Sequence, residues 1–157
     1  MPVSNMKFLK AVRLDASDAR VYAEDGGAAI DGEWVVSGGY AVCDLTAGHR
    51  RPRCHCDTTF VGVTSRGRCT LAEVADIDAT TYADLGEQLT RHFLDDLGAP
   101  SREAARQAAA EECAYTADLA AGFPADVWIT VKRQPTPEGV AEHYAVFKRL
   151  MIGAHKL

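Results

Sequence analysis

Apolar and polar positions change rhythm along the chain. From Met6 to Leu14 they alternate loosely, with Phe8, Leu9, Val12 and Leu14 apolar, which predicts a first strand. Asp15 to Asp18 reads as a turn and Arg20 to Ala23 as a short second strand. Asp25-Gly26-Gly27 and Asp31-Gly32 are turn signals, because glycine reaches positive φ without steric cost. Glu33 to Ser37 is predicted as strand, with Trp34 and Val36 on one face. Gly38-Gly39 marks a bulge or bend, after which Tyr40 to Cys43 continues extended. Asp44 to Asp57 is a polar loop near the upper limit for an unstructured connection.

The central stretch runs from Thr58 to Leu97. Thr58 to Thr64 reads as strand, Ser65-Arg66-Gly67 turns the chain back, and Cys69 to Ile77 returns as a second strand. Its alternation puts Cys69, Leu71, Ala75 and Ile77 on one face, with Glu73 as the exception. Asp78 or Thr80 can cap a helix over 78–97, in which Tyr82, Leu85, Leu89, Phe93 and Leu97 fall at helical spacing. Gly98-Ala99-Pro100 stops it.

Ser101 caps a second, alanine-rich helix over 101–121, whose small side chains permit close approach. Asp126 to Arg133 is a strand with Val127, Ile129 and Val131 inward and Trp128, Thr130 and Lys132 outward. After the rigid Pro135-Thr136-Pro137 loop, Val140, Tyr144, Phe147 and Met151 form an apolar stripe that predicts a third helix over 138–152. Strands first and helices later, without βαβ alternation, predict an α+β fold. The expected architecture is a mostly antiparallel sheet of about five to seven strands with three helices packed on one face.

Composition fits this reading and narrows the function. The chain has 157 residues, 47% hydrophobic and 25% charged, enough for one domain with its own core. A net charge of −5 argues against a nucleic-acid or anionic-membrane binder, both of which need positive potential. No apolar run reaches the ~20 residues that span a bilayer, and the N-terminus lacks a signal-peptide pattern, so a cytoplasmic location is expected. Five cysteines without framework spacing are then expected as free thiols.

The densest reactive group is Cys54-His55-Cys56-Asp57, with His49 and Cys43 nearby. Thiolates and imidazoles are zinc ligands, so Cys54, Cys56, His49 and Cys43 are the candidate metal set. The usual second Cys pair is missing, and Arg50, Arg51 and Arg53 oppose a divalent cation while favouring thiolates. An inert surface loop is the favoured alternative. The chain lacks a nucleophile elbow and a phosphate-binding Gly-rich loop. His92 with Asp95 and Asp96, and Glu138 and Glu142 near His143, read as solvated helix faces. Two positions stand out as candidate binding residues: Trp128, on the outward face of its strand, and Glu73, a carboxylate on an apolar face.

Several segments together resemble a small bacterial family catalogued only as a domain of unknown function. They are Met6 to Asp15, Gly32-Glu33-Trp34-Val35-Val36-Ser37-Gly38, Phe60-Val61-Gly62-Val63, Leu97-Gly98-Ala99-Pro100 and Ala110-Glu111-Glu112. The resemblance implies a single α+β domain over 6–157, with Met1 to Asn5 as an extension, and carries no catalytic motif. The expectation is a non-enzymatic accessory or protein-interaction module that self-associates or binds a protein partner, with no cofactor. The alternatives are a thiol- or metal-dependent site on the Cys54–Asp57 loop and small-molecule binding between sheet and helices.

Overall fold

The structure, a computed structural model, describes residues 6–23, 27–41 and 55–148. In chain order the elements are β1 (Met6–Val12), α1 (Ser17–Val21), β2 (Trp34–Val36), β3 (Phe60–Gly62), β4 (Arg68–Cys69), β5 (Leu71–Ile77), α2 (Ala79–Asp95), α3 (Arg102–Ala121), β6 (Val127–Thr136) and β7 (Gly139–Lys148). Single 3-10 turns cover Gly39–Ala41 and Cys56–Thr58. The strands form one antiparallel sheet in the order β4-β3-β2-β1-β5-β6-β7, and the α+β class holds.

Only Thr70 separates β4 from β5, yet β4 pairs with β3 while β5 pairs with β1. One continuous segment therefore meets two strands that lie apart in the sheet order, which requires strong curling. Both faces of β1 are consequently covered. Phe8 and Leu9 point to opposite sides of the sheet, and each is fully buried. Phe8 packs with Val36, Val61 and the helix residues Leu85, Leu89, Phe93, Ala105, Ala109 and Cys113. Leu9 packs with Val35, Phe60, Val74, Ile129 and Val131 in a second core, to which α3 contributes Ala120.

The helix caps follow the sequence. Asp78 accepts the Thr81 N–H at 2.7 Å and Ser101 the Ala104 N–H at 3.1 Å, filling donors that a first turn leaves open. Gly98 at φ +73° follows the end of α2. On α3 the buried positions Ala105, Ala109, Cys113, Thr116 and Ala120 are all small, which lets α2 and α3 pack closely.

Four local expectations are corrected. The loop predicted at Pro135-Thr136-Pro137 begins only at Pro137, because Pro135 and Thr136 end β6 opposite Val140 and Gly139. The helix predicted over 138–152 is the strand β7, Gly139–Lys148, paired with β6 along its whole length. Its stripe of Val140, Tyr144 and Phe147 fits helical spacing, but Gly139 (φ +136°) folds the chain straight back onto β6. The strand predicted over Arg20 to Ala23 overlaps the end of the short helix α1 and the turn after it; Tyr22 turns inward, and its hydroxyl lies 2.6 Å from Thr70 Oγ1. The extension predicted from Tyr40 begins instead as a 3-10 turn, where Ala41 N–H donates to Gly38 O at 3.0 Å.

Candidate functional site

Two features of the sheet bring polar or exposed groups together. The first is a row of directly opposed residues across five strands: Trp34 on β2, Lys10 on β1, Glu73 on β5, Trp128 on β6 and Phe147 on β7. Opposed residues share a face, so the row lies on one side of the sheet. Lys10 Nζ sits over the Trp34 ring, 4.7 Å from its centroid. Glu73 is half-buried opposite Lys10 and beside Trp128, so the two candidate binding residues are immediate neighbours.

Trp128 does not have the exposure its outward register suggests. It is 7% accessible, covered at a groove of about 600 Å³ lined by Leu14, Leu71, Val146 and Phe147 among others. Its indole N–H is buried without a hydrogen-bond partner among the described residues. Phe147, at the end of the row, is 47% exposed, and Val146 and Leu14 beside it are exposed as well.

The second feature is a polar junction centred on Arg133, a residue that periodicity alone did not single out. The alternation of β6 puts Ile129, Val131 and Arg133 on one face, and Arg133 is only 2% accessible. A guanidinium has five N–H donors, and the junction offers each an acceptor. Nε donates to Glu142 Oε2 at 2.8 Å, and Nη1 to the carbonyls of Cys56 and Thr59 at 3.0 and 2.9 Å. Nη2 donates to Ser37 O at 2.7 Å and Ser37 Oγ at 3.3 Å. One side chain thus ties β6 and β7 to the segment after β2 and to the turn before β3. The strand period puts Arg133 on the inward face with Val127, Ile129 and Val131, but it does not show which acceptors meet it there.

Around this core lie two carboxylates. Glu142 Oε1 accepts hydroxyl bonds from Tyr144 at 2.6 Å and from Tyr115. Burial pushes the Glu142 carboxyl up, but its bonds to Tyr115, Tyr144 and Arg133 outweigh that and hold it below the ordinary value. Glu112 on α3 accepts the Gly38 N–H at 2.9 Å, while Thr116 Oγ1 accepts the Ser37 N–H at 2.9 Å. Burial raises the Glu112 carboxyl, opposed by the Gly38 bond and Arg133. Tyr40, whose hydroxyl is buried without a partner among the described residues, packs on Phe93 with ring centroids 4.8 Å apart.

Of the candidate metal set, Cys43, His49 and Cys54 lie outside the described residues. Cys56 is buried in the turn before β3, with its carbonyl on Arg133. Among the described residues no three His, Cys, Asp or Glu side chains converge as metal ligands. Cys69 and Cys113 are buried core thiols without disulfides, and burial pushes Cys113 up to about 11, away from reactivity. His92 and Asp96 share a helix face, with Nδ1 and Oδ2 2.8 Å apart, but His92 is buried and not solvated. The solvated helix face predicted for Glu138 and Glu142 near His143 does not form: Glu142 lies on strand β7 and is drawn onto Arg133. No helix among the described residues is long and apolar enough to cross a membrane.

No curated protein and no solved structure matches the chain. A family model does match, over residues 6–155, and its description is a family of unknown function. By that coverage the chain belongs to DUF6505, which agrees with the resemblance carried by its opening strand and its Gly-Glu-Trp and Leu-Gly-Ala-Pro segments.

Proposed function

We propose that this protein is an interaction module whose partner is a second copy of itself, joined through the outer edge of β7. The observation that carries the reading is the ten-residue β6–β7 pairing, in which β7 is the last strand of the sheet. An edge strand presents a row of backbone donors and acceptors, a template for another strand. Natural edges are usually blunted by shortness, charge or proline; β7 is long, its Glu142 is drawn onto Arg133, and its one lysine, Lys148, stands at its end.

The strand suits an antiparallel copy of itself. With Ala145 at a two-fold axis, Glu142 falls opposite the partner subunit's Lys148, and His143 opposite the partner subunit's Phe147. The exposed Val146 and Phe147 would then be covered by the second copy.

Size-exclusion chromatography with light scattering tests the proposal. A concentration-dependent dimer is expected, and Phe147→Glu should shift it to a monomer that keeps the folded circular dichroism spectrum of the parent. A strict monomer across the accessible concentration range overturns it.

A further inference from the structure

Beside the Arg133 junction a cavity of about 440 Å³ opens between the Gly39–Ala41 turn and the two long helices. It is lined by Tyr40, Phe93, Ala108, Glu111, Glu112 and Tyr115. Of these six described side chains three are aromatic, two are carboxylates, and none is cationic. That volume falls in the range of small-molecule sites.

We propose that this cavity binds a small alkylammonium ion, with the Tyr40, Phe93 and Tyr115 rings as walls and the Glu112 carboxylate as counter-charge. The aromatic faces carry negative quadrupole potential, and they attract an ammonium whose charge is spread over methyl or methylene groups. Tyr40 and Phe93 meet at 70° with centroids 4.8 Å apart, an arrangement that makes a corner instead of a stack. Tyr115 is held in place by its hydroxyl bond to Glu142. Glu112 is fixed by the Gly38 amide on Oε2, so the counter-charge is positioned before any ligand arrives.

Among the described residues, Arg133 acts on Glu112 and Arg66 and Arg68 act on Tyr40; Glu142 engages Arg133 and Asp96 engages Arg66, which offsets their repulsion toward a further positive charge. An anion has no such match: among the described residues two carboxylates line the cavity and no lysine, arginine or histidine does. A neutral ligand of the same shape would fill the aromatic walls without using Glu112. That difference is what the experiment reads.

Choline and its uncharged isostere 3,3-dimethylbutan-1-ol are titrated into the full-length protein near neutral pH, following amide chemical shifts. Saturable shifts with choline are expected at Tyr40, Phe93 and Glu111 to Tyr115. The isostere should bind at least about tenfold more weakly. Glu112→Gln keeps an acceptor for Gly38 and should weaken choline by about fivefold or more; Glu111→Gln serves as a second variant if that one fails to fold. No saturable shift with choline, or equal affinity for the isostere, overturns the proposal. So does unchanged choline affinity in a folded Glu112→Gln protein.

Discussion

Arg133 and Glu142 are direct cross-strand partners on β6 and β7, with Nε and Oε2 2.8 Å apart, and together they anchor the polar junction at that end of the curled sheet. The guanidinium is nearly inaccessible, while the carboxylate keeps 18% of its side chain exposed. A buried pair of this kind is costly to break from one side, because the remaining charge stays desolvated.

Replacing Arg133 with Met should therefore destabilise the fold by about 3–5 kcal/mol. The loss combines an uncompensated Glu142 with carbonyls at Ser37, Cys56 and Thr59 left without this donor. Arg133→Lys should recover little, since an ammonium has three donors and cannot span these acceptors. Urea unfolding of the single variants and of Arg133→Met/Glu142→Leu measures this. The double variant is expected to be more stable than Arg133→Met alone.

Glu112 and Glu142 should make opposite contributions to the pH dependence of stability. The Glu142 carboxyl is held below its ordinary value, so its contribution is present above that value and is lost as pH falls through the folded one. The Glu112 carboxyl is raised, so its contribution is full below the ordinary value and is lost as pH rises through the folded one. Relative to the parent, Glu112→Gln should gain stability as pH rises above 4.5, the ordinary value of the group. Glu142→Gln should lose most at neutral pH, and its deficit should shrink on acidification. Urea midpoints over the acid-to-neutral range decide both signs.

Two glycines should respond oppositely to alanine. Gly38 has φ +88°, and a Cβ there would stand 2.8 Å from Val61 Cγ2 and 3.3 Å from Thr59 O. Gly38→Ala should cost about 1–3 kcal/mol, and should weaken the junction that depends on this turn. Gly86 lies inside α2, and a methyl group added there would meet nothing within 4 Å. Gly86→Ala should stabilise by about 1 kcal/mol through helix propensity. Thermal melts of the pair check the contrast.

The two helix caps give a simpler expectation. Asp78→Ala and Ser101→Ala each remove a side-chain acceptor from a first-turn N–H, and each should cost about 1 kcal/mol. Circular dichroism on thermal unfolding would show equal changes for a neighbouring control, such as Asp84→Ala, if capping were not the cause.

Much of the core was readable because it is local. Leu85, Leu89 and Phe93 repeat at helical spacing and are buried, and Val127, Ile129 and Val131 alternate and face the interior. Leu97 shows where the pattern overreaches: it continues the stripe but lies past the end of α2 and is exposed. Of the binding candidates, Glu73 and Trp128 each stand out in the sequence alone. Their adjacency is a matter of register between β5 and β6, which neither strand encodes by itself.

The sequence by itself determined the caps, the turns, the apolar faces of α2 and α3, and the α+β class, because these rest on periodicity and on backbone preferences of neighbouring residues. Tertiary structure decided the rest. Residues 139–148 carry a stripe that suits a helix, but ten cross-strand pairs with β6 make them a strand, since backbone pairing over that length outweighs weak local propensity. The continuous passage from β4 to β5 through Thr70 curls the sheet, and that curl brings Ser37, Cys56 and Thr59 within reach of Arg133. Whether a strand-borne arginine is solvated or buried depends on which acceptors converge on it, and those acceptors come from segments up to 96 residues away.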